Sequence, residues 1–154
     1  MGKLAIISEE TVRKIVTRQL AFDAVRAAFE AVAVDRSRVF YVVIGSGLHN
    51  REAFATKSGI DGENERVGFK CGTYWAGNLD EGLEFQHAYN DGLLNSVDDI
   101  RALGLVTLLK SPGRISDTQV TVFDSSGIAI QDLAVAGAIF EAAQRMSQIQ
   151  YIDF

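Results

Sequence analysis

The sequence predicts an α+β fold: a mixed, largely antiparallel sheet with N-terminal helices and a long C-terminal helix packed on it. Three observations predict it. Apolar residues recur at helical spacing near both ends of the chain. Between them, β-branched and aromatic runs lie close together with short turns, so they should pair antiparallel. The chain has 154 residues, 47% of them apolar and 23% charged, which suits one self-sufficient core.

The elements follow in order. Residues 3–7, KLAII, read as a short strand. Ser8 caps the next helix, where Glu9 and Glu10 suit the positive end of the dipole. Val12, Ile15 and Val16 recur at helical spacing. Asp23 reads as a second cap, and Val25, Phe29 and Val32 continue a core-facing stripe to about Val34. From Val39 the period changes: VFYVVIG reads as one strand, bounded by Gly45-Ser46-Gly47. Residues 54–57 form a second short strand, ended by Ser58-Gly59, and 61–65 a polar turn. Residues 67–75 alternate, with Val67, Phe69, Cys71, Thr73 and Trp75 on one face and Lys70 on the other with Gly68, Gly72 and Tyr74. Cys71 then reads as a small buried hydrophobe.

Residues 76–95 carry no clear period. Ser96 caps a helix that Val97, Ile100, Leu103 and the run 105–109 carry to about Lys110, where Ser111-Pro112-Gly113 stops it. Residues 120–123 read as a strand and Asp124-Ser125-Ser126-Gly127 as a turn. Residues 128–146 form the longest helix, with Leu133, Ala136, Phe140 and Ala143 as its apolar stripe, and 151–154 a last strand.

Charge excludes some functions. The net charge of -5 argues against a nucleic-acid partner. The first 70 residues hold 11 Lys/Arg against 9 Asp/Glu, the remainder 4 against 11, so cations able to meet a small anion lie mainly in the first half. No apolar run is long enough to span a membrane, and residues 1–8 lack the apolar stretch of a signal peptide. The single Cys71 cannot form an internal disulfide. A cytoplasmic location is expected.

Most motifs weaken on inspection. Gly45-Ser46-Gly47-Leu48-His49-Asn50 resembles half of a dinucleotide fingerprint, but the third small residue is missing and the following stretch is too short and polar for the required helix. A hairpin or loop is expected there. His49 and His87 are too few for a zinc site, and no GxSxG nucleophile elbow occurs. Lys57 and Lys70 stand out, each beside small residues in Lys57-Ser58-Gly59 and Gly68-Phe69-Lys70-Cys71-Gly72. Glycines let a ligand approach the backbone, and an ammonium on a sheet can pair with a carboxylate. Ordinary solvated lysines on a sheet edge are the plainer reading of the same residues.

The run from Phe123 to Ala136, FDSSGIAIQDLAVA, resembles the signature of the ornithine cyclodeaminase/mu-crystallin family, as does the preceding Pro112-Gly113-Arg114-Ile115-Ser116-Asp117. Lys57-Ser58-Gly59, Gly68-Phe69-Lys70 and Tyr74-Trp75-Ala76-Gly77-Asn78 resemble the family's substrate-domain strands. The resemblance covers about residues 4–85 and 97–154. It implies an NAD- or NADP-dependent enzyme that deaminates amino acids or reduces ketimines. It also implies a homodimer, whose substrate domain is built from both chain ends around an inserted Rossmann domain. Lys57 and Lys70 would hold the carboxylate or reacting centre of a small amino or imino acid, Lys70 being the firmer match. An arginine, Arg36 or more closely Arg38, would join the same anion pocket.

The chain departs from that family in its middle. After Asn95 it runs directly into Ser96-Val97-Asp98-Asp99, which resembles a late segment of the nucleotide fold. The glycine fingerprint, the ribose-binding strand end and the family's acidic catalytic residue have no counterpart. The expected organisation is a substrate-binding and dimerisation domain at 1–95, a Rossmann remnant at 96–127, and a helix and strand at 128–154 returning to the first domain. The strand at 120–123, without neighbours, should re-pack, pair with another chain or lose order. Three functions are consistent with this. The first is a family relic without cofactor binding or hydride transfer. The second is a non-enzymatic dimeric module for a small amino or imino acid. The third is an enzyme whose cofactor fold comes from a second chain.

Overall fold

A computed structural model describes residues 2–46, 52–75, 88, 90–93, 100–123 and 127–153. The elements used below are β1 (Lys3–Ile6), α1 (Glu9–Ile15), α2 (Arg18–Ala33), β2 (Ser37–Val39), β3 (Val43–Ser46), β4 (Glu52–Asp61), β5 (Arg66–Trp75), α3 (Leu103–Thr107), α4 (Ala129–Arg145) and β6 (Gln150–Asp153). The α+β class holds, and every described strand pairing is antiparallel.

β1 and β6 form a two-stranded sheet, with Lys3 opposite Asp153. In the second sheet β4 is central. β5 pairs along its whole length, from Glu52 opposite Trp75 to Asp61 opposite Arg66. β2 and β3 share the other edge in tandem. Val39 faces Gly59 and Val43 faces Thr56, so residues 40–42 stand opposite only 57 and 58. That extra residue is a β-bulge, and VFYVVIG is two strands rather than one. Nor does Ser58-Gly59 end β4, because neighbours on both edges carry the strand to Asp61.

The polar turn forms at 62–65 as expected. The buried Asp61 carboxylate organises it, accepting from the backbone of Glu63 and Asn64 and from Asn64 Nδ2 at 2.8 Å. A buried carboxylate survives because its lone pairs are used.

Ser8 caps α1, its Oγ accepting from Thr11 N at 3.2 Å. The second cap is Thr17, not Asp23. Thr17 has extended backbone and its Oγ1 accepts from Leu20 N, whereas Asp23 lies inside α2 and takes a bond from Gln19. Three helices end alike. The residues after the C-caps, Asp35, Leu109 and Ser147, have φ of 58°, 58° and 55°, and paired bonds close back over the last turn. Leu109 is exposed and bulky at a position that suits glycine. Leu109→Gly should therefore stabilise the fold by about 0.5–1 kcal/mol, read as a rise in urea midpoint.

α4 lies on β4 and β5, α2 packs on α4, and α3 packs on α2. The contact surfaces are small: Ala28 and Ala31 of α2, with Ala129, Ile130, Gly137 and Ala143 of α4, are buried. Of the expected stripe Ala136 is exposed, while Leu133 and Ala143 turn inward, joined by Ile130 and Gly137. Gly104 brings α3 against the backbone of α2, where an added Cβ would lie 2.6 Å from the Phe29 carbonyl carbon and 2.7 Å from Ala33 Cβ.

Glu30 links these two helices. Its carboxyl is held below the usual range chiefly by the Arg26 hydrogen bond, aided by Thr107, with burial opposing. A lowered folded value means that Glu30 stabilises fully above the ordinary carboxylate range and loses that effect as pH falls through the folded value. The difference in urea midpoint between wild type and Glu30→Gln should accordingly shrink between pH 6 and pH 3.

Three expectations fail in the rest of the chain. The helix expected over 96–110 spans only Leu103–Thr107 among the described residues, because Ala102 is extended; residues 96–99 lie outside them. Residues 120–123 form no strand. They find no ladder among the described residues, and Val120, Val122 and Phe123 are exposed, with the Phe123 ring edge-on to Phe29 at 6.1 Å. Cys71 is exposed, 3.2 Å from Thr56 Oγ1, instead of buried.

The reason for the last failure lies in which face of β5 the helix chose. α4 sits against Gly59 and Gly68, where an added Cβ would stand 3.8 Å from Ile130 N and 2.9 Å from Leu133 Cδ1 respectively. The glycine face admits the helix closely, and the β-branched face is left outward. Val67 is 73% and Phe69 77% exposed.

Candidate functional site

Lys57 and Lys70 are direct cross-strand partners on β4 and β5. Alternation puts both on the face that carries α4. Like charges directly opposite in a sheet are unfavourable, so this pair is not what packing alone would select. The N-terminal end of α4 meets both ammoniums. Lys57 Nζ donates to the Gly127 carbonyl at 2.9 Å, and Lys70 Nζ donates to Asp132 Oδ2 at 2.9 Å.

The chain folds this way locally for identifiable reasons. Gly127 takes φ +74°, which turns the backbone into the helix. Gln131 Oε1 reaches back to accept from Ile128 N at 2.9 Å, capping the first turn. Asp132 lies in that turn, where a carboxylate suits the helix dipole. Two ammoniums, one carboxylate and the positive end of a helix thus converge at the sheet surface. Such a group can hold a small anion by charge-assisted hydrogen bonds.

The structure brings Lys57 and Lys70 together but not Arg38. Arg38 pairs with Ile60 and so lies on the opposite face of the sheet, exposed. Arg36 is taken by Glu63. Sequence reasoning missed Asp132, although it stands inside the FDSSGIAIQDLAVA run, four residues into the first turn of a helix that a glycine begins. His49, His87 and the stretch 47–50 lie outside the described residues. Among the described residues no cluster of three potential metal ligands occurs, and no helix is long and apolar enough to cross a membrane.

A second concavity, of about 190 Å³, separates α2 from α4. Alanines line one end, and Ser37, Asp61, Arg66 and Glu141 the other. Its polar groups satisfy one another: Arg66 crosses Gly137 to pair with Glu141, and Ser37 meets Asp61. It reads as a packing gap.

A dinucleotide cofactor is best seated where a parallel strand turns through glycines into a helix. The described residues offer antiparallel pairs only, and α4 follows no described strand. They do not fit that group.

Residues 87–147 match the profile of the family described as "Ornithine cyclodeaminase/mu-crystallin family". The match takes in the run around α4 that carries the resemblance and falls short of half the chain. The sequence is 41% identical to an iminosuccinate reductase of Paracoccus denitrificans over 70 residues, which are 46% of this chain and 21% of that protein. It is 43% identical to an alanine dehydrogenase of Archaeoglobus fulgidus over 63 residues, 40% of this chain and 19% of that one. A delta(1)-pyrroline-2-carboxylate reductase of Bacillus cereus is 36% identical over 76 residues, 49% and 23% of the two chains. The matched stretch thus spans only about a fifth of these family members.

Solved structures share the fold. The crystal structure of the Paracoccus denitrificans iminosuccinate reductase in complex with NAD+ superposes with a TM-score of 0.82 at 16% identity, over 99% of this chain and 100% of that chain. An archaeal alanine dehydrogenase dimer with bound NAD superposes with a TM-score of 0.69 at 13% identity, over the same shares.

Proposed function

We propose that this chain is an internally shortened member of the family. On this reading it keeps a site for the carboxylate of a small amino or imino acid and does not itself bind NAD(P) or transfer hydride. The observation that carries the reading is the Lys57–Lys70 cross-strand pair beneath the start of α4. Lysines opposed at a cost in repulsion, each given an oxygen by one helix end, make sense as a held anion site. The relatives act, by their names, on iminosuccinate, alanine and pyrroline-2-carboxylate, all small carboxylates.

Two further points support the shortening. The 70 residues that are 46% of this chain are only 21% of the iminosuccinate reductase, which is therefore more than twice as long. The two ends of the chain also come together, β1 with β6, and α4 with β4 and β5. This agrees with one substrate domain made from residues 1–95 and 128–154, with 96–127 left from the cofactor domain. A cytoplasmic setting goes with this reading. Ornithine, proline or pyrroline-2-carboxylate should give measurable heats in isothermal titration, while assays with NADH and NADPH should stay blank. Turnover with either cofactor would overturn the loss of hydride transfer, and absence of any binding would overturn the anion site.

A second reading, a dimeric binding module, is favoured by the bare sheet face. Val43, Phe54, Val67 and Phe69 lie exposed on the side away from α4. An apolar sheet face of this kind suits a second copy. Cys71 lies on the same face and reports on it. Sedimentation should give a dimer in which Cys71 reacts slowly with a thiol reagent at high concentration and quickly on dilution. A strict monomer with a uniformly reactive Cys71 would rule the module out.

A further inference from the structure

We infer that Asp132 recognises the cationic nitrogen of the ligand, so that the site prefers a zwitterion to a plain carboxylate. The inference rests on the reading above, in which Lys57 and Lys70 hold the carboxylate.

The geometry supplies the argument. Asp132 Oδ2 stands 2.9 Å from Lys70 Nζ, and both side chains are 55% exposed. An ion pair this open to water contributes little and parts readily. An α-amino acid carries its carboxylate and its ammonium on one carbon. The protein carries an ammonium and a carboxylate side by side. Set against each other, each ligand charge meets its opposite, and the Lys70–Asp132 pair is replaced by two equivalent pairs. A ligand with only a carboxylate gains the lysines but faces the negative charge of Asp132, which has already neutralised Lys70. Asp132 therefore acts in opposite directions on the two ligand classes.

A purely structural role for Asp132 makes a different forecast. As a first-turn carboxylate it stabilises α4 through the helix dipole. Its loss would then lower the melting temperature and shift the affinity for all carboxylates alike.

L-alanine and L-lactate decide between them, since they differ in little more than an ammonium against a hydroxyl. Isothermal titration at pH 7 of the wild-type protein should show L-alanine about tenfold tighter than L-lactate. Asp132→Asn should bring the ratio to near one or below, with alanine weakened and lactate strengthened. The wild-type comparison needs no variant, so it stands even if Asp132→Asn folds poorly. Equal affinities in the wild type, or a ratio unchanged by Asp132→Asn, would overturn the role of Asp132 and leave the carboxylate site standing. Binding of neither compound would overturn both.

Discussion

Gly104→Ala should lower the stability of the protein by about 2–3 kcal/mol, seen as a large drop in urea midpoint with little change in slope. In an isolated helix the same change would help by about 1 kcal/mol, because alanine loses less backbone entropy than glycine. Here the sign reverses. The new methyl would strike the Phe29 carbonyl, which is helix backbone held by its own hydrogen bonds, and Ala33 Cβ. A flexible side chain could swing away, but a helix carbonyl cannot. The chain would have to lift α3 off α2, exposing the buried Gly104 surface and disturbing the Phe29–Phe123 ring contact. An unchanged midpoint would mean that α3 does not dock on α2.

Lys70→Met should lower the affinity for a small amino-acid carboxylate by about ten- to a hundredfold, the range expected when a hydrogen bond to a charged group is removed. Its stability should hold or rise slightly. Removing one of two opposed lysines relieves repulsion across β4 and β5, and the exposed pair with Asp132 contributes little. Lys57→Met should behave in the same direction. Lost affinity with preserved stability is the signature of a residue kept for its ligand, and titration beside urea unfolding separates the two quantities. Parallel losses in both would make the lysines structural.

Some of this was legible in the residues. The lysines were singled out because glycines flank them, and the same glycines explain why α4 can lie so close to the sheet. Strand alternation correctly divided Lys70 and Gly68 from Phe69 and Cys71, yet it could not say which face the helix would cover. Hydropathy points to the β-branched face, whereas α4 packs on the other, its Ile130 over Gly59 and its Leu133 side chain over Gly68. The bulge at 40–42 left no mark in VFYVVIG, because every residue in it suits a strand; only the register against β4 reveals it. Residues 120–123 carry strand propensity without a strand, since a ladder needs a neighbouring edge that local sequence cannot supply. Asp132 was visible as a residue but not as a site member. Its partner, Lys70, lies 62 positions earlier in the chain.

The pairing of β1 with β6 also governs how the protein comes into being on the ribosome. Lys3 emerges early, but Asp153, its partner, is polymerised 150 residues later. At about 5–20 residues per second, that interval is roughly eight to thirty seconds. From the synthesis of β5 until residues 129–145 follow, the glycine side of β4 and β5 lacks its covering helix, and the first strand keeps an open edge until β6 arrives. The two-stranded sheet therefore cannot form until β6 has followed β1 out of the ribosome, and chaperones that shield bare sheet surface have their longest opportunity in that interval.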